Sequence, residues 1–296
     1  MGDKTRKRKK RFGDRYEGRR IRTLPPYNAL MPFIMKTRGG SSISYTDSIE
    51  ISEAERFLRE KRSGGYPGMG LLHLVIAAYT RVAAQYPAIN RFISGQRAYA
   101  RHNIELIMTV KKGMSVNATE TSIRVIFDPR DTIGDVYDKM NTEIRKVKGD
   151  GDANDTDVTA RVLMKVPRIF LKFVVSFLTT LDYFGKMPKS ILKASPFHGS
   201  VVITDLGSIG LPPLYHHLYD FGNMPLFIAL GAKRKVREIT AEGKVVEKKY
   251  MDYKLVMDER ICDGFYFSQV IKLFKSLVKK PRVLDTPPQS VVEDID

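Results

Sequence analysis

Apolar positions change period several times along this chain, and each change marks a different element. In GSSISYTDSIEI, Ile43, Tyr45, Ile49 and Ile51 recur among polar residues, the pattern of a half-covered strand. SEAERFLREKR follows, where Ser52 as N-cap and Glu55 three residues on predict a helix start. The strongest helix is LLHLVIAAYTRVAAQYPAINRFI: Leu72, Val75, Ile76, Tyr79, Val82 and Ala83 fall three and four apart, and Pro87 ends it. RAYARHNIELIMTVKK and ETSIRVIFDP read as two antiparallel strands. TIGDVYDKMNTEIRKVK reads as a helix capped by Thr132, ahead of the polar loop GDGDANDTD.

GSVVITDLGSIG, MPLFIALGAKRK and VVEKKYMDYKLVMDE return to strands, with EITAEGK between the last two as a turn whose Gly243 tolerates positive φ. FSQVIKLFKSLVKK closes as an amphipathic helix. Ahead of all these, the three prolines of RTLPPYNALMPFIM predict an extended lead-in. Antiparallel strands mixed with a few helices, without a βαβα rhythm, predict a two-layer α/β (α+β) sandwich.

Residues 162–193 are the most apolar stretch. Lys172 and Asp182 interrupt it, and Ile169–Phe184 falls short of the ~20 residues of a bilayer span, so no transmembrane segment is expected. An amphipathic helical insertion is expected, lying on the core, a partner subunit, a bound apolar group or a membrane surface.

Composition adds charge and compartment. The 296 residues are 43% hydrophobic and 28% charged, with a formal net charge of +17. Residues 1–22 hold eleven Lys/Arg against three Asp/Glu, a net +8 that leaves +9 for the rest. Residues 1–19 are therefore expected to form a basic flexible tail, either a solubilising arm or one that meets a polyanion such as nucleic acid or an anionic membrane. Residues 285–296 are expected to form an acidic disordered tail. One cysteine, Cys262, rules out an internal disulfide and multi-cysteine zinc sites, and with no apolar leader the chain is expected in a reducing cytosol.

The order GSVVITDLGSIG, NMPLFIALG, a hairpin, then VMDERICDGFYFSQVIKLF resembles chloramphenicol acetyltransferase and the catalytic domain of the dihydrolipoamide acyltransferases of 2-oxoacid dehydrogenase complexes. The resemblance covers roughly residues 20–281 and also takes in the long helix with its following strand pair and the Arg-rich start. It implies a trimer, or a multiple of trimers, with active sites between subunits. There an acyl group passes between a coenzyme A or lipoyl thioester and an acceptor, without a metal. Residues 20–284 would be that catalytic domain alone, so a lipoyl carrier would be a separate protein.

The family signature His-x-x-x-Asp-Gly carries a histidine base, and here Glu259 stands in that slot. Asp263 and Gly264 match the rest, and the family's Asp pairs with an N-terminal arginine, for which Arg20 and Arg22 are the candidates. Thr204 matches the family's hydroxyl donor to a tetrahedral oxyanion, a contribution of ~3 kcal/mol. A carboxylate ordinarily titrates near ~4.3 against ~6.5 for imidazole, so a carboxyl base needs burial to be effective. Three readings of Glu259 stay open: a working base, an ion pair with Arg260, or the mark of a lost base.

His216 and His217 in PPLYHHLYDFG are alternative bases, or else surface imidazoles. His198 lies at the start of the Thr204 strand, His73 on the long helix, and His102 has no companion. Gly207–Gly210 is no phosphate loop, and neither a Ser-His-Asp elbow nor a metal-binding histidine spacing is found. The reading is an acyltransferase. Its alternatives are an inactive oligomeric scaffold or regulator of the same fold, and a polyanion-binding protein acting through residues 1–22.

Overall fold

The computed structural model describes residues 10–111, 120–149, 165 and 167–296. The first nine residues of the basic arm, the polar loop beyond Gly149 and the start of the 162–193 insertion lie outside it. Among the described residues the strands form two sheets. The smaller has the order β1 (Gly18–Arg20), β4 (Arg97–Arg101), β3 (Arg91–Ser94). The larger runs β2 (Ser42–Glu50), β9 (Val245–Asp258), β8 (Leu226–Ile239), β7 (Val201–Asp205), β5 (Ile104–Lys111), β6 (Glu120–Phe127). The β5–β7 and β7–β8 pairs are parallel and the other pairs antiparallel, so the large sheet is mixed.

Helices cover one face of that sheet. In register across it, Ile203, Ile228 and Leu255 point inward. They join a single core with α2 (Ser52–Ser63), α3 (Leu71–Gln85), α4 (Ile133–Gly149) and α7 (Gly264–Lys279). One residue out of phase, Val202, Phe227 and Val256 turn to the opposite face and form a separate cluster with Leu218. Alternation in the sequence thus separates a helix-covered face from a loop-covered one. Thr132 caps α4 as expected: its Oγ1 accepts from Asp135 N at 3.3 Å, and its N donates to Asp135 Oδ2 at 2.8 Å.

Several expectations are corrected. The proline-rich lead-in contains a helix, α1 (Pro26–Ile34), because Pro26 occupies the first turn, where no N–H is needed. Ser52 is the first helical residue of α2, with Ile51 at the cap position, and makes no side-chain cap. Glu55 turns instead to Lys233 and Lys249, at 2.7 and 2.6 Å.

The acidic end is held against the body. Arg91 pairs with Asp294 at 2.5 Å, Arg11 with Asp296 at 3.0 Å, and Val292 N donates to the Ala84 carbonyl at 2.8 Å. Residues 10–22 are tied to the same end: Arg19 Nη1 donates to the Ile295 carbonyl at 2.6 Å, and Arg22 N to the Asp296 carbonyl at 2.9 Å. A tail that reads as disordered by composition is ordered here by cations far away in sequence.

The described part of the 162–193 stretch contains two helices, α5 (Arg168–Phe184) and α6 (Lys189–Ala194). No residue of α5 is fully buried. No described helix is long and apolar enough to cross a membrane.

Candidate active site

The turn after β9 is built around a buried carboxylate. Asp258 is 0% exposed, and Arg260 grips it with two bonds, Nε to Oδ1 at 2.8 Å and Nη2 to Oδ2 at 2.7 Å. Arg38 approaches the same carboxylate, Nε to Oδ2, at 3.7 Å. Burial pulls the Arg38 guanidinium down to about 10, partly offset by Asp258. The remaining donors reach backbone carbonyls: Arg260 Nη1 to Met35 at 2.9 Å, and Arg38 Nη1 to Tyr219 at 2.6 Å. The segment before β2, the loop before β8 and the turn after β9 therefore converge on one ion cluster.

Glu259 stands on that cluster but outside it. From Asp258 to Cys262 it alone is exposed. Its N donates to the Ser41 carbonyl at 3.0 Å, while Asp258 N donates to the Pro225 carbonyl at 2.9 Å, so the end of β9 is fastened on both sides. The Arg260 guanidinium, one candidate clamp for Glu259, is spent on Asp258. No ion pair of Glu259 occurs among the described residues.

Asp263 caps α7, its Oδ1 accepting from Tyr266 N at 2.8 Å. No ion pair joins it to Arg20 or Arg22 among the described residues. Arg22 reaches Asp14 at 3.3 Å, and Arg20 N donates to the same carboxylate at 3.0 Å. The arginine that does reach the turn is Arg91, donating to the Ile261 carbonyl at 3.2 Å. Gly264 opens α7, and a Cβ there would meet open space.

Thr204 lies on the loop-covered face of β7, in one row with Ala229, Lys254 and Thr46. Residues 211–220 lie over this face. Tyr215 shares a hydrogen bond with Thr46 Oγ1 at 2.9 Å, and Lys254 Nζ sits 3.6 Å from its ring centre. Gly231 lets the loop come close, since a Cβ there would stand 2.3 Å from Pro213 Cδ. His216 stacks flat on Phe227, with ring centres 4.2 Å apart, and burial pulls its imidazole down with a smaller push from His217. His217 is exposed, edge-on to Tyr219. Standard strand spacing puts Thr204 about 10 Å across the sheet and about 17 Å along it from Glu259. One chain does not bring them together.

Three features escaped the sequence reading. Asp205, next to Thr204, is pushed up by burial, against the pull of Ser208 and Gly207 N–H groups. Arg38 gave no signal at all, being far from Asp258 in sequence. The third is a hydroxyl–imidazole–carboxylate chain: His198 Nδ1 lies 2.8 Å from Ser195 Oγ, and its Nε2 lies 3.4 Å from Asp182 Oδ2. His198 is 0% exposed and Ser195 also accepts from Phe197 N, so this chain fastens α5 to the body and offers no open nucleophile. His73 accepts from Gly70 N through Nδ1 and lies against Tyr137. Among the described residues no group of His, Cys, Asp and Glu could hold a metal ion.

Two spaces flank α7. The one enclosed by α3, α7 and the sheet has 20 Å³, about room for a water. The other is an open groove of 580 Å³ lined by Tyr45, Phe267 and the lysines 272, 275, 279 and 280. Lys275 is held there by Asp47 at 2.5 Å.

No family model matches the chain, and no curated protein matches it. Solved structures do match in fold. A probable dihydrolipoamide acetyltransferase from Listeria monocytogenes is 13% identical, with a TM-score of 0.53, over 88% of this chain and 95% of that one. The dihydrolipoamide acetyltransferase of Azotobacter vinelandii is 12% identical, with a TM-score of 0.51, over 89% and 93%. A chloramphenicol acetyltransferase is 16% identical, with a TM-score of 0.51, over 86% and 94%. The chain has the chloramphenicol acetyltransferase-like fold.

Proposed function

We propose that the protein is an acyltransferase that moves an acyl group from a coenzyme A or lipoyl thioester to an acceptor hydroxyl or thiol. The site lies between two copies of the chain, Glu259 from one and Thr204 from the other. The observation that carries this reading is the exposed carboxylate of Glu259, set on a rigid strand end whose neighbouring acid and guanidinium are already satisfied by each other. The separation of Thr204 from Glu259 within one chain supports the composite site, and with it a trimer or a multiple of trimers.

In the reaction, Glu259 takes the proton of the acceptor as its oxygen or sulfur attacks the thioester carbonyl carbon. The carbonyl oxygen becomes an oxyanion and accepts a hydrogen bond from Thr204 Oγ1. Collapse breaks the carbon–sulfur bond, and the thiolate leaves with the proton held by Glu259. The lysine-lined groove along α7 offers fixed positive charge suited to the phosphates of coenzyme A.

Subunit complementation tests this directly. Glu259→Gln is expected to abolish acyl-coenzyme A turnover, and Thr204→Ala to lower it at least about a hundredfold. Refolded together at equal amounts, they are expected to recover activity, since about one interface in four then holds both native residues. Recovery absent from a mixed assembly rejects the composite site. Wild-type turnover in both single variants rejects these residues altogether. Calorimetric titration separates the inactive-scaffold reading, which predicts assembly without coenzyme A binding.

A further inference from the structure

The helix α5 carries two apolar lines that serve different purposes. Leu171, Val174, Leu178 and Leu181 fall at three- and four-residue spacings and are half-buried toward the body. Phe170, Phe173, Phe177 and Phe184 fall within a sector about 60° wide beside them. These four are 63%, 69%, 62% and 63% exposed. An aromatic stripe this open is not part of the chain's own core.

The charge around the stripe is one-sided. Lys165, Arg168, Lys172, Lys186, Lys189 and Lys193 are all exposed, while the one acid of the segment, Asp182, is turned inward to His198. The basic N-terminal arm is anchored at the same end. Arg15 Nη2 donates to the Tyr183 carbonyl at 2.6 Å, and Lys189 Nζ stands 5.0 Å from the Tyr16 ring centre.

We propose that α5, together with the Arg15–Tyr16 segment fixed beside its C-terminal end, is a docking surface for an anionic phospholipid bilayer. The helix lies in the interface plane with the phenylalanine stripe among the acyl chains, and the lysines and arginines face the headgroups. A short amphipathic helix binds reversibly, and adjacent cations strengthen and select that binding through the negative surface potential. The helix is too short to span, and its inner leucine line keeps it attached to the body. Charge complementarity favours the bilayer over a second copy of this chain, whose matching surface would bring like charges together.

The test uses the full chain with vesicles of phosphatidylcholine and phosphatidylglycerol, and with vesicles of phosphatidylcholine alone. Cosedimentation is expected with the first, is weakened by salt, and is about tenfold lower with the second. Phe173→Asp with Phe177→Asp is expected to lower binding to the anionic vesicles at least about tenfold, with the circular dichroism spectrum and sedimentation coefficient unchanged. The chain contains no tryptophan, so Phe173→Trp gives an independent reporter. Its emission is expected to shift blue on adding anionic vesicles. Absence of vesicle binding, equal binding by the aspartate variant, or an indole emission from the Phe173→Trp variant that is already blue and insensitive to vesicles overturns the proposal. A fall in sedimentation coefficient with the aspartate variant also overturns it, in favour of a second copy on the stripe.

Discussion

Asp258→Asn perturbs the one ion cluster on which the candidate turn rests. The carboxylate is fully buried, takes two bonds from Arg260 at 2.8 and 2.7 Å, and faces Arg38 at 3.7 Å. Replacing it with an amide leaves two buried guanidinium groups facing a neutral side chain. Breaking a buried pair this way costs ~3–5 kcal/mol, mostly through the uncompensated charge left behind. The carbonyls of Met35 and Tyr219 still accept from the two arginines, which places the expected loss at the lower end, ~3 kcal/mol. Equilibrium urea unfolding followed by far-ultraviolet circular dichroism measures it. Glu259→Gln, one residue away but exposed, is expected to stay within ~0.5 kcal/mol of wild type. A loss below ~1 kcal/mol for Asp258→Asn, or equal losses for the two variants, refutes the assignment of structure to Asp258 and accessibility to Glu259. A double-mutant cycle with Arg260→Met then reports whether the coupling resides in the bidentate pair.

Three further outcomes follow from the burial pattern. Burial pulls His73 down to about 4, so the unfolded chain binds the extra proton; stability is expected to be fully present above about pH 6.5 and to fall by up to about 3 kcal/mol toward pH 4, a slope that His73→Gln removes in urea titrations across that range. The Cys262 thiol is buried and pushed up to about 12, so iodoacetamide at pH 8 is expected to label the native chain far more slowly than the urea-unfolded one; equal rates refute its burial. Gly264→Ala, whose added methyl meets open space, is expected to leave the melting temperature of the isolated chain within about 2 °C of wild type.

Much of the fold follows from period alone. Ile203, Ile228 and Leu255 alternate with Val202, Phe227 and Val256, and the structure assigns the two sets to opposite faces of the same strands. The long helix and the cap at Thr132 are equally local. What a local pattern does not reach is pairing across long stretches of chain. Asp258 looks in sequence like half of an acidic pair, and only its contact with Arg38 turns it into the centre of a cluster. Resemblance points Asp263 toward the N-terminal arginines, while within the chain Arg22 is held by Asp14 and the turn is reached by Arg91. The acidic end reads as disordered because composition carries no record of the arginines that hold it.

The candidate site also contains requirements that the single chain does not explain. Glycine at position 264 is not demanded by φ or by a neighbour, and Phe265 beside it is 78% exposed. Among the described residues Glu259 has no ion-pair partner, and the hydroxyl proposed to act with it lies on a distant row of the same sheet. Each is what a surface shows where another body packs against it: a missing side chain for close approach, an apolar ring to bury, and a carboxylate awaiting its environment. The chemistry assigned to Glu259 depends on what closes over it. Under that reading activity belongs to the assembly, and a variant that separates the subunits should lose turnover even with Glu259, Thr204 and the Asp258 cluster intact.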